Sequence, residues 1–72
     1  MESKELAIEA TLYVGNEAIA RALGECLCER LKGNQDFIDN KVIINYTDDP
    51  GRVHIYVYEG AEPETILQLI GG

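Results

Sequence analysis

The chain is poor in the residues from which most active and metal sites are built. Its 72 residues include one histidine, His54, and two cysteines, Cys26 and Cys28. A histidine with no nearby cysteine or second histidine makes a poor metal site. The two cysteines lie two apart in a segment that reads as helix, where residues i and i+2 point about 200° apart. They therefore neither bridge nor share a metal, and reduced thiols in a cytoplasmic protein are expected. Basic residues are also scarce: 6 against 13 acidic, for a net charge of −7. Direct nucleic-acid binding, which rests on lysine and arginine neutralising phosphates, is not expected, nor is docking on anionic membranes. No apolar run approaches the roughly 20 residues that span a bilayer, and Met1-Glu2-Ser3-Lys4-Glu5 lacks the basic start and apolar stretch of a signal peptide. Glycines are too few for a phosphate-binding fingerprint. No cofactor, metal or catalytic motif is expected.

What is present is alternation. In Glu5–Val14 the residues Leu6, Ile8, Ala10, Leu12 and Val14 point one way, and Glu5, Ala7, Glu9, Thr11 and Tyr13 the other. In Arg52–Tyr58 the inward set is Val53, Ile55 and Val57, and the outward set Arg52, His54, Tyr56 and Tyr58. Period-2 patterning predicts strands with one buried and one wet face. An apolar fraction of 46% argues for one folded domain over residues 1–72, near the lower size limit for folding without staples. The acidic surplus keeps copies soluble and apart; a sharper use for it is docking on basic partners or mimicry of nucleic acid.

The first strand is expected over Lys4–Val14, broken by Gly15-Asn16. A helix follows over Glu17–Leu31, with Asn16 as N-cap and Glu17 in the favourable first turn. Its predicted apolar stripe is Ile19, Leu23, Cys26 and Leu27, with Ala20 and Leu31 at the margin and Cys28 on the wet side. Gly33-Asn34 ends it. Gln35–Lys41 reads as a loop, with Phe37 and Ile38 tucked under the helix end. Strands over Val42–Thr47 and Arg52–Glu59 flank Asp49-Pro50-Gly51-Arg52, a type II turn signal. Pro63 opens a second helix running to about Ile70, which Gly71 stops.

The expected fold is thus α+β, a two-layer β-α-β-β-α sandwich with a three-stranded antiparallel sheet of order 2-3-1 and two helices on one face. A right-handed crossover dictates that order, and the result resembles a ferredoxin-like split unit that ends before its last strand. The first strand is left as an open edge of about 11 residues. Antiparallel pairing with a second copy, centred near Ala10 and using Ile8, Ala10 and Leu12 as the dimer edge, would satisfy it and join two small cores.

Functional expectations follow from the outer face. Tyr13, His54, Tyr56 and Tyr58 form the candidate interaction surface, since tyrosine brings rigid apolar area with a polar tip. Aromatic sheet faces that bind RNA come with basic surroundings; here Glu5, Glu9 and Glu59 are neighbours, which favours a protein partner. His54 and Cys28 project from opposite sides of the sheet and cannot form a nucleophilic pair within one subunit. Asp36, Asp39 and Asn40 lack the alternation, glycine and closing glutamate of a calcium loop. A non-catalytic interaction or dimerisation module is expected.

Three resemblances accompany these residues. Gly15-Asn16-Glu17-Ala18-Ile19-Ala20-Arg21 resembles a strand-to-helix stretch in the large subunits of ferredoxin-dependent 2-oxoacid oxidoreductases, which implies a shared capped turn. Gly71-Gly72 resembles the tail of ubiquitin-like modifiers and sulfur carriers, a family whose fold opens with a β-hairpin and whose diglycine follows a strand. The β-α-β-β-α order is similar to the small dimerising subunit of the KEOPS transfer-RNA modification complex. That family's second helix has a leucine–arginine signature, and Glu64–Ile70 contains no arginine, so no residue role carries over.

Overall fold

The computed structural model of the protein describes residues 5–71. Its elements run β1 (Leu6–Tyr13), α1 (Glu17–Arg30), α2 (Gln35–Ile38), β2 (Val42–Asn45), β3 (Arg52–Tyr58) and α3 (Pro63–Leu69). The fold is α+β: one three-stranded antiparallel sheet in the order β1-β3-β2, with three helices. The strand order is the expected one. Lys4, assigned to the first strand on sequence, lies outside the described residues.

Local chemistry sets the boundaries. The Asn16 side chain accepts from the Ile19 N–H at 3.1 Å and starts α1. Asp49-Pro50-Gly51-Arg52 forms its turn, with the Arg52 N–H on the Asp49 carbonyl at 3.1 Å and Gly51 at φ 81°, the left-handed conformation that a type II turn requires of its third residue. The Gly51 carbonyl then accepts from both Val14 and Gly15 at 3.0 Å, pinning the turn to the exit of β1.

Gln35–Lys41 departs from the expected loop, because it opens with one helical turn. The Asn34 side-chain oxygen accepts from the Asp36 and Phe37 N–H groups at 2.8 and 3.2 Å, which is the bonding that nucleates α2. Phe37 packs against the core as expected, whereas Ile38 is left 59% exposed. This turn also anchors α3. The Asp36 carboxylate, 7% exposed, accepts from the Thr65 hydroxyl at 2.6 Å and the Glu62 N–H at 2.8 Å. Asn34 donates to Thr65 and Gln68 at 3.1 and 2.8 Å.

The core comprises two linked clusters. Ala20, Leu27 and Val53 form one, and Leu31, Val42 and Val57 the other; Ile44, Ile55 and Leu69 pack against both. The buried stripe of α1 is rotated from the predicted one. Ala20, Gly24, Leu27 and Leu31 are inside, while Ile19 is 55% exposed and Cys26 faces out. Gly24 is the reason. A Cβ there would overlap the Tyr46 ring, so the helix meets Tyr46 where it has no side chain to count in an apolar pattern.

Two expectations about β1 also change. Its alternation is broken by a bulge between Leu6 and Ile8, so that Leu6 pairs with Tyr58 while Ile8 pairs with Val57. Because antiparallel partners share a face, Leu6 stands beside Tyr58 on the outer face. The remaining inward row, Ile8, Ala10 and Leu12, lies beside Val57, Ile55 and Val53 as expected. It is not buried, however: Ile8 is 44% and Leu12 39% exposed. α1 packs on β3 and β2, and among the described residues the inner side of β1 is left partly open.

Two measurements check this packing. Gly24→Ala should destabilise the fold by about 1–3 kcal/mol in urea, since overpacking outweighs the roughly 1 kcal/mol that alanine gains in a helix. Thr65→Val removes a donor from a buried carboxylate and should cost about 1–3 kcal/mol. The Thr65 hydroxyl, and after it the Glu62 N–H, hold the Asp36 pKa below its ordinary 3.8. A carboxyl lowered in the folded state stabilises above its unfolded pKa and loses that contribution as pH falls through the folded one. The deficit of the valine variant should therefore be full at neutral pH and shrink under acid.

Candidate interaction surface

The register of β1, β3 and β2 assembles the outer face. Across it run the rows Thr11–His54–Asn45 and Glu9–Tyr56–Ile43, with Tyr13 opposite Arg52 and Leu6 opposite Tyr58. The four aromatic residues singled out from sequence thus share one face. Tyr13 is 74% exposed, and His54, Tyr56 and Tyr58 are half-buried.

Side chains there are held by one another. The two His54 ring nitrogens are both engaged: Nδ1 lies 3.1 Å from the Thr11 hydroxyl and Nε2 lies 3.1 Å from an Asp49 carboxylate oxygen. An ionised carboxylate only accepts, so Nε2 carries the proton, and in the neutral ring Nδ1 accepts from Thr11. The same Asp49 carboxylate accepts from Arg52 at 3.0 and 3.2 Å. The Arg52 guanidinium in turn lies 5.1 Å from the centroid of the Tyr13 ring, within the range of a cation–π contact. His54 stacks on Tyr56 at 6.3 Å, with ring planes 13° apart. Five residues from two strands and a turn therefore form a chain of contacts: Tyr13, Arg52, Asp49, His54 and Thr11.

A hydroxyl, an imidazole and a carboxylate in that order are also the groups of an acyl-transfer triad. Here they lie on a sheet face, and they line neither the hollow between Asn34 and Gln68 nor the one beneath β1. What the array does physically is hold the His54 ring between Thr11 and Asp49 and the Arg52 guanidinium against Tyr13, with Tyr56 stacked on His54. From sequence Asp49 reads as a turn residue and Thr11 as an outward strand residue; their contacts with His54 depend on the pairing of β1 with β3 and on the turn geometry.

A second surface lies on the other side of β1. Ile8, Ala10 and Leu12 form one wall of a groove of about 400 Å³ whose other walls come from Leu23 and Leu27 of α1 and from Ile66, Leu69 and Ile70 at the end of α3. Apart from Arg30 at its margin, the lining is apolar. Arg30 is tied down, donating to the Leu69 carbonyl at 3.2 Å. Sequence patterning turned Ile8, Ala10, Leu12, Leu23 and Leu27 toward the core and gave no sign that they line open space.

The cysteines exchange their expected places. Cys26 is exposed and Cys28 half-buried, as the rotation of α1 requires. Burial first, then the nearby Glu25 and Glu29 carboxylates, push the Cys28 thiol above its ordinary pKa, which lowers its thiolate content. Asp36 and Asp39 spend oxygens on Thr65, Glu62 and Gln35. Among the described residues no group of three or more histidine, cysteine, aspartate or glutamate side chains is placed to hold a metal ion. No helix among them is long and apolar enough to cross a membrane. Gly71 follows a helix and β1 has no hairpin, unlike the ubiquitin-like pattern; Gly72 lies outside the described residues.

Comparison with protein-family models, with curated proteins and with solved structures gives no match.

The outer-face array has a measurable signature at Asp49. The hydrogen bond with His54, and after it that with Arg52, hold its pKa below the ordinary 3.8. The stabilisation it provides is complete above the unfolded value and lost as pH falls through the folded one. A carboxyl-carbon NMR titration should place the Asp49 midpoint below 3.8. His54→Ala should move it upward, and Arg52→Gln should move it upward by less.

Proposed function

We propose that this protein is a small, acidic, non-catalytic interaction module. Two copies join along the open edge of β1, and the outer sheet face presents Tyr13, His54, Tyr56 and Tyr58 to a protein partner, in the cytoplasm. The observation that carries this reading is the outer face itself. Its aromatic rings are uncovered or half-covered by the described chain; Arg52 lies against Tyr13, Asp49 and Thr11 hold His54, and His54 stacks on Tyr56. Rings already ordered lose little freedom on binding, and that favours affinity. The acidic balance favours a partner with basic residues at the rim of its contact surface. The chain is read as a ferredoxin-like β-α-β-β-α unit with both main helices on one face, whose open edge stands where a last strand would pair.

Affinity capture from the native host with quantitative mass spectrometry tests the partner surface. Tyr13→Ser with Tyr56→Ser should reduce recovery of the specific partner by at least about tenfold, the effect of losing 1.4 kcal/mol or more, while circular dichroism shows an intact fold. Equal recovery by both forms rejects this surface. A fluorophosphonate probe tests the non-catalytic part: Thr11 should stay unlabelled, and labelling there that requires His54 would make the triad-like array an active site.

A further inference from the structure

The open edge of β1 and the groove beneath it belong to the same strand, and together they specify how a second copy would dock. The Val14 N–H bonds the Gly51 carbonyl, and alternate residues of a strand direct their backbone groups to the same side. With Leu12 opposite Val53, Ala10 opposite Ile55 and Ile8 opposite Val57, the even-numbered residues spend their N–H and C=O groups on β3. Glu9, Thr11 and Tyr13 direct theirs to the open edge.

Few two-fold registers suit that edge. A centre at Glu9 opposes two carboxylates, which repel. A centre at Ala10 sets Tyr13 against Ala7 of the second copy, inside the bulge, where the ladder is disrupted. A centre at Leu12 carries Glu9 past the strand end to Gly15. A centre at Thr11 pairs Thr11 with itself and Glu9 with Tyr13 of the other copy, so all three outward residues exchange both backbone bonds. On the inner face it sets Ala10 against Leu12, small against large. On the outer face each Glu9 carboxylate meets a Tyr13 ring that already carries the Arg52 guanidinium at 5.1 Å, so opposite charges approach despite a net −7 per chain.

The groove supplies what backbone pairing alone lacks. A stable pair buries about 800 Å² per partner, about a sixth of the 4889 Å² exposed by this chain. Strand addition places the Ile8, Ala10 and Leu12 row of each copy next to that of the other, and the two grooves meet over the seam. Ile70 on the groove wall is 73% exposed and lies beside this junction.

Resting on the dimer reading above, we infer that Thr11 lies on the two-fold axis of a β1–β1 homodimer that closes the apolar grooves of both copies. Cysteine cross-linking in a Cys26→Ala, Cys28→Ala background tests it, beside sedimentation equilibrium of the unaltered protein. Thr11→Cys should form a disulfide-linked dimer in a glutathione redox buffer, and Ala10→Cys should not. Because Thr11→Cys also removes a His54 partner, a second arm mixes Glu9→Cys with Tyr13→Cys, both at exposed positions; the mixed disulfide should exceed either self-linked species. A sedimenting monomer at high micromolar concentration overturns the dimer and this register together. A dimer that links through Ala10→Cys and not through Thr11→Cys overturns the register and keeps the edge. A dimer that links in neither arm overturns the edge as its interface.

Discussion

Double pairing of β3 is the constraint on which the rest of the structure depends. This strand pairs with β1 over Arg52–Tyr58 and with β2 over His54–Val57, and that position is stable because Val53 and Val57 are covered by α1 and α3. The helices reach them through small or flat contacts. Ala20 is wholly buried, Gly24 admits the Tyr46 ring, and Leu27 and Leu31 fill the space beyond. With α1 drawn over β3 and β2, the described helices leave the inner side of β1 partly open. With six buried apolar residues among those described, a domain of this size gains from every further contact it can make.

Polar tethers compensate for the small core at both ends of the sheet. At one end Asp36 and Asn34 bind the start of α3, so a helix whose own N-cap makes no side-chain bond is held by a neighbouring turn. A carboxylate at a helix N-terminus also meets the favourable end of the backbone dipoles. At the other end Gly51 and Asp49 fasten the hairpin turn to β1 and to the outer face. The turn thereby couples the two surfaces of β1: its geometry aims Asp49 at His54, His54 orients Thr11, and Thr11 is central among the residues whose backbone faces the open edge.

The edge of β1 is managed at one end only. The bulge beside Leu6 interrupts the ladder there, a common means of limiting unwanted pairing. From Glu9 to Tyr13 the strand is regular and its partner side open. The pairing of two copies proposed above would use this stretch and the groove beside it, against repulsion from a net charge of −7 per chain that salt screens beyond about 8–10 Å.

Sequence alone determined the elements whose signals are local: the period-2 strands, the Asn16 cap, the Pro50-Gly51 turn and the proline start of α3. It also determined that Tyr13, His54, Tyr56 and Tyr58 share a face, because alternation within strands fixes sides once β1 and β3 pair. The tertiary structure decided what depends on neighbours distant in sequence. The rotation of α1 follows from Gly24 meeting Tyr46, which no apolar stripe can encode since glycine has no side chain to count. The exchange of Cys26 and Cys28 follows from that rotation. Asp36 is buried because Thr65 and Glu62 come to meet it across the fold. Leu6 changes sides because one bulge residue shifts the register. The exposure of Ile8 and Leu12 is the clearest case: periodicity states which way a side chain points, and only the placement of the helices decides whether anything is there to cover it.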